Sequence, residues 1–351
     1  MLQRSARGHL LEVFLFTLSS LVLYHIGVGI GVFLIPLQVV ASRRGMSSLL
    51  SACGGFLLVF LALRFLPFLG GALRPDILTV LEIVFVVFLL LGLLVVNFPL
   101  GTRALYRLLG STAVVGLAAI PAGIWLSRSV QFQDTMGALF TEVSRMLTTL
   151  FTGKEGSSDP ALSALLSPAA LHRISDAYVS RSVLASYFLL LTFSWWAGQA
   201  SASRAVDAGQ RRFHFANFRL ESLWLWPLIA ACALILVDLF FTVGGFRRTV
   251  GAGSRTAAQG GWTPWLAYAA WNAGLVLLVL YGMQGLAILR FLFEKHGLPR
   301  LLWVLLLAGL AAAAASPRAG LFVLLALPAF GISESWIRYR VTPRQKPNES
   351  Q

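Results

Sequence analysis

The sequence predicts an all-α fold, a polytopic transmembrane bundle of about ten helices, and three observations carry that prediction. Of the 351 residues, 57% are hydrophobic and 12% charged, with a mean hydropathy of +0.77. A water-soluble fold of this composition would have too little polar surface to cover itself. The apolar residues fall in long unbroken runs, enough for the ~20 residues with which a helix crosses a ~30 Å hydrocarbon core, and they lack the ~10-residue polar/apolar alternation of a membrane barrel. The 28 Lys and Arg outnumber the 14 Asp and Glu, but they stand in twos to fours between apolar runs. That is how topology determinants are placed, not how a nucleic-acid surface is built.

The elements follow in order. Leu10 to Ser42 is too long for one upright crossing and is interrupted at Gly27, Gly29 and Gly31, with Pro36 beyond. It splits into two helices near Tyr24–Gly27; one bent helix plus a re-entrant piece would lower the count to nine. Arg43 and Arg44 close this hairpin. A third span covers Met46 to Leu66 and a fourth Ile77 to Phe98, separated by a loop holding Pro67, Gly70, Gly71 and Pro75. A fifth covers Leu108 to Leu126, with Pro121 expected to kink it.

From Ser127 to Ser180 the composition changes. Phe132, Met136, Phe140, Val143 and Leu147 recur on one helical face opposite Asp134, Thr141, Glu142 and Arg145, which predicts an amphipathic helix at the membrane interface. Gly153 to Pro160 breaks it, and Ala161 to Tyr178 repeats the pattern more weakly; a movable lid or a docking arm is the sharper reading of this hairpin. A sixth span, Val183 to Ser201, leads to the most basic loop, with Arg204, Arg211, Arg212 and Arg219. A seventh covers Leu223 to Val243. The eighth, within Trp262 to Gly297, has a single charge, Arg290, between Thr263 and Phe293. Leu301 to Ala315 and Ala319 to Ile332 complete the set. The chain thus reads as an N-terminal bundle (1–126), an interfacial pair (127–180), a C-terminal bundle (181–337) and a disordered polar tail (338–351). Numbering the loops alternately places Arg43, Arg44, the 204–219 loop, Lys295, Arg300 and the tail on one side, so both termini are expected in the cytoplasm.

No catalytic signature is present: H-E-x-x-H, G-x-S-x-G and G-x-x-x-x-G-K-[ST] are all missing, and no cofactor is indicated. Cys53 and Cys232 stand alone in apolar runs, the five His do not cluster, and no metal site is expected; both cysteines read as small core residues. Polar groups at membrane depth carry more information, because burial in lipid is costly unless other groups satisfy them. The candidates are Asn272, Tyr281 and Gln284 on the eighth span, and Glu82 and Asp238 a few residues inside the outer ends of theirs. Tyr281 and Gln284 share a face, whereas Asn272 lies twelve residues from Gln284, ~18 Å along the axis. Interhelical hydrogen bonding explains each of them as well as a ligand does.

Some of these residues carry a family resemblance. FANFRLESLWLWPLI (Phe215 to Ile229), Asn272, YGMQGLAILRFLFEK (Tyr281 to Lys295) and FGISESWIRYR (Phe330 to Arg340) resemble the YybS-like family of bacterial polytopic membrane proteins. Gln284, Gly285, Leu286, Ala287, Gly331, Trp336 and Arg340 match that family's motifs. Glu221 stands where Pro is usual, Gly282 and Met283 replace Phe and Leu, and Glu334 and Arg338 replace two Asp. The resemblance implies a location and an architecture but no reaction. The N-terminal half is distantly similar to the substrate-binding membrane subunits of energy-coupling-factor transporters, although Leu10 to Tyr24 lacks the alanine face through which those subunits couple.

The first functional reading is a protein of the bacterial inner membrane that binds or moves a small solute through Asn272, Tyr281, Gln284, Glu82 and Asp238. The alternative is a scaffold that docks a membrane or cytoplasmic protein through Arg204, Arg211, Arg212, Arg219 and the tail. A membrane-embedded enzyme using Glu82 or Asp238 as acid or base ranks third. What separates the first two is whether the five polar residues converge or are each satisfied locally.

Overall fold

A computed structural model describes residues 2–27, 31–69, 77–99, 103–152, 160–202, 215–243, 264–337 and 339–340. All regular structure among them is helical, in two compact units, Met1–Arg211 and Arg212–Gln351. Among the described residues six helices are long and apolar enough to cross a membrane, and three shorter apolar helices accompany them. The chain is a helical membrane protein.

In unit 1, α1 (Leu2–His25) and α2 (Leu34–Arg44) form a hairpin. Near its turn the Ser20 hydroxyl donates to the Phe33 carbonyl (2.5 Å), and at its open end Glu12 pairs with Arg43 (3.3 Å) and with Arg44. The break expected near Tyr24–Gly27 is present, yet α2 has only 11 residues, ~16 Å and about half a hydrocarbon core. Its role is central packing. Leu34, Pro36, Leu37, Gln38, Val39 and Val40 are buried against α1, α3 (Met46–Leu69), α4 (Ile77–Asn97) and the long helix introduced below. Gly45, at φ +84°, turns the chain from α2 into α3, in a conformation that a side chain would resist.

Helix α5 (Ala104–Arg128) continues through Pro121 and passes at Ser129 into α6 (Val130–Thr152), the expected amphipathic helix. A short α7 (Pro160–Leu165) precedes α8 (Pro168–Ala202). The sequence divided α8 into an interfacial helix and a span, with a domain boundary between them. One helix of 35 residues, ~52 Å long, replaces both. No glycine or proline separates Tyr178 from Val183, so nothing stops the first helix before the second begins. The excess length packs on α6, where the Phe140 and His172 rings meet edge to face at 5.2 Å, and just before it the Ser144 hydroxyl of α6 donates to the Leu166 carbonyl between α7 and α8 (2.6 Å).

Unit 2 opens with two short 3₁₀ turns, Phe215–Asn217 and Ser222–Trp224, and continues as α9 (Leu225–Val243), α10 (Pro264–Lys295), α11 (Arg300–Ala315) and α12 (Pro317–Ser333). The long central helix is α10, with α9 and α12 packed on it. Gly285 and Gly331 mark the closest crossing, where a Cβ on Gly331 would overlap the Tyr281 carbonyl and one on Gly285 the Leu327 carbonyl. Cys53 is buried, but Cys232 is exposed on α9, against expectation. Lipid is as apolar as a protein core, so hydropathy cannot tell a lipid-facing position from a packed one.

Candidate functional site

The most elaborate polar arrangement centres on Gln284, the residue before Gly285 at the glycine crossing. Its side-chain amide is buried and fully used: Nε2 donates to the Gly331 carbonyl (3.1 Å) and to Glu334 Oε2 (2.9 Å), while Oε1 accepts the Leu220 backbone N–H (3.1 Å). Glu334, also buried, is held by Arg340 through Nε to Oε1 (2.8 Å) and Nη2 to Oε2 (2.6 Å), a two-pronged pair. Arg340 Nη1 then donates to the carbonyls of Ala216 (2.6 Å) and Phe218 (2.9 Å).

The chemistry of this lock follows from the backbone it holds. Residues 218–221 are not helical, so their N–H and C=O groups lack the internal partners that backbone shut away from water requires, and Leu220 is buried. Gln284 and Arg340 supply them. Of the backbone groups at 216–220, one N–H and two carbonyls are bonded by side chains that lie 64 to 124 residues away in the chain. These are structural contacts, and they occupy the donors and acceptor that a solute would use.

The remaining candidates lie elsewhere. Asn272, buried on α10, donates to the Tyr268 carbonyl of its own helix (2.9 Å). Asp238 on α9 accepts the Trp271 indole N–H (2.9 Å), thirteen residues from Gln284 and ~20 Å along α10. Glu82 belongs to unit 1, where it accepts the Tyr24 hydroxyl (2.6 Å) and pairs with Arg64. Tyr281 differs: it is buried, and among the described residues its hydroxyl has no partner. Arg204, Arg211 and Arg212 lie outside the described residues; Arg219 is exposed.

Sequence reasoning missed several participants. Glu334 and Arg340 were read only as family landmarks, and Arg340 was assigned to a disordered tail, although it anchors the lock. In unit 1, the buried Gln38 pairs reciprocally with Asn97 (3.0 and 2.7 Å) and is pressed against Gly198. Tyr187 donates to the Phe88 carbonyl (3.1 Å) and meets the Ser111 hydroxyl at 2.8 Å. Gln38 and Asn97 stood in apolar runs and could have been found by the rule that singled out Gln284.

These features define the class: a polytopic helical membrane protein in which Gln284, Glu334, Asn272, Asp238, Glu82 and Gln38 each have a partner inside their own unit. Compared with known proteins, the chain matches no family model, no curated protein and no solved structure.

Proposed function

We propose that this chain is a scaffold of the bacterial inner membrane that docks a protein partner through the basic loop at 204–219 and the C-terminal tail, in a YybS-like architecture with both termini cytoplasmic. The observation that carries the reading is the saturation of Gln284. With Glu334 and Arg340 it uses its polar atoms to hold chain segments together, and Asn272, Asp238 and Glu82 also have partners inside their own units. The same lock brings residue 216, at the end of the basic loop, within hydrogen-bond distance of residue 340, where the tail begins. The described ends of the two basic stretches, residues 216 and 340, therefore meet in one lock.

The solute-binding reading retains one observation, the unpartnered buried hydroxyl of Tyr281. Native mass spectrometry of gently extracted protein separates the two. The scaffold reading expects a stoichiometric protein partner that is lost in an Arg211→Ala/Arg212→Ala variant. A retained small molecule that disappears on Tyr281→Phe, with no protein partner, would overturn it.

A further inference from the structure

The start of unit 2 carries a second kind of surface, independent of the scaffold reading. Helix α9 has 19 residues, so it is ~28 Å long, barely the hydrocarbon thickness. It has no length to spare, and its two ends must lie at the two boundaries of the core. The preceding residues 215–224 hold two short 3₁₀ turns separated by four irregular residues, 218–221, with Arg219 and Glu221 exposed, and lipid-exposed irregular backbone does not occur within hydrocarbon. Both arguments put this stretch at one bilayer surface.

Its exposed side chains suit that position. Leu223 and Trp226 are 71% and 70% exposed, and Trp336 and Ile337, on the segment that Arg340 ties to the same stretch, are 72% and 54% exposed. A water-facing surface would not hold four such groups around a buried ion pair, whereas the lipid–water boundary favours tryptophan, whose ring is apolar and whose N–H can stay wet. We infer that residues 215–224 and 334–337 form a platform seated in the phospholipid headgroup layer, with Trp226 and Trp336 at the boundary and Arg219 among the phosphates. The lock of Gln284, Glu334 and Arg340 holds the platform's two halves together.

Helix α9 supplies its own ruler, because exposed Leu236 lies ten residues beyond Trp226, ~15 Å deeper and near the bilayer centre. The test places a nitroxide at Trp226→Cys, Trp336→Cys, Arg219→Cys or Leu236→Cys in a Cys53→Ala/Cys232→Ser chain, in nanodiscs of phosphatidylcholine and phosphatidylglycerol. Accessibility to oxygen and to a water-soluble nickel chelate is read at each position. Positions 226 and 336 should report equal, shallow depths, position 236 several-fold more oxygen than nickel, and position 219 the reverse. Mid-bilayer depth at 226 or 336, free nickel access there, or shielding from both reagents, which would mean contact with another protein, each overturns the platform. Monodisperse elution and a thermal unfolding curve matching those of the Cys53→Ala/Cys232→Ser chain serve as the check that each labelled variant is folded.

Discussion

The two units solve the same problem differently. Each buries polar side chains in an apolar interior, but in unit 1 Gln38 pairs with Asn97 and Tyr187 with Ser111 across helices whose backbones are already complete. In unit 2 Gln284 and Arg340 also bond backbone groups at 216–220, around the residues through which the chain enters without an α-helix. A polar side chain that joins two regular helices adds modestly to stability, since ~0.6 kcal/mol is the average for such bonds in membranes. One that completes an irregular backbone carries more, since its loss leaves a buried N–H, carbonyl or charge with nothing to bond.

The comparison can be broken at several points. Arg340→Ala should have the largest effect: it leaves Glu334 buried without its cation and two carbonyls without donors, at a cost of about 3–5 kcal/mol. Thermal unfolding in detergent, with protease cutting mapped to unit 2, would measure it. Adding Glu334→Gln should restore part of the loss; if the double variant is no better than the single, the buried charge is not the cause. Gly331→Ala comes next, at about 1–3 kcal/mol, because its methyl group must push α10 and α12 apart at the Tyr281 carbonyl. A melting curve unchanged by this substitution would show that the two helices do not cross where the structure puts them.

Smaller effects sharpen the contrast. In a double-mutant cycle on Gln38→Leu and Asn97→Leu, the coupling should fall near ~0.6 kcal/mol and below ~1.7 kcal/mol; a value as large as that of the Arg340 variant would erase the distinction between the units. Ser194→Ala should have the least effect. This hydroxyl is fully buried and, among the described residues, unpartnered, so its removal should leave stability unchanged or slightly raised. A marked loss of stability would show that Ser194 holds a group of its own.

Much of the architecture was legible in the sequence because it follows from local rules. Long apolar runs, prolines and paired arginines located the helices, and the amphipathic face of residues 130–152 identified itself by spacing alone. Two elements were misread because their fates are not local. Pro168–Ala202 is one helix because no residue within it stops propagation, even where its surroundings change from water to lipid. Leu34–Arg44 resembles half of a hairpin in composition, and only its neighbours reveal that it is a short central wedge. As for the site, Gln284 stood out at once as an amide at membrane depth, whereas Glu334 and Arg340 looked like ordinary charges near a chain end.

By itself, then, the sequence determined that this is a helical membrane protein and placed most of its helices in order, because the cost of exposing polar backbone to hydrocarbon acts residue by residue. Which polar groups are spoken for was decided only by tertiary structure. Gln284 meets Leu220, Gly331 and Glu334 because two glycines let α10 and α12 touch backbone to backbone, and Arg340 returns to Ala216 and Phe218 across more than 120 residues of chain. Hydropathy can show that a buried amide needs partners, but the partners themselves come from how the helices pack.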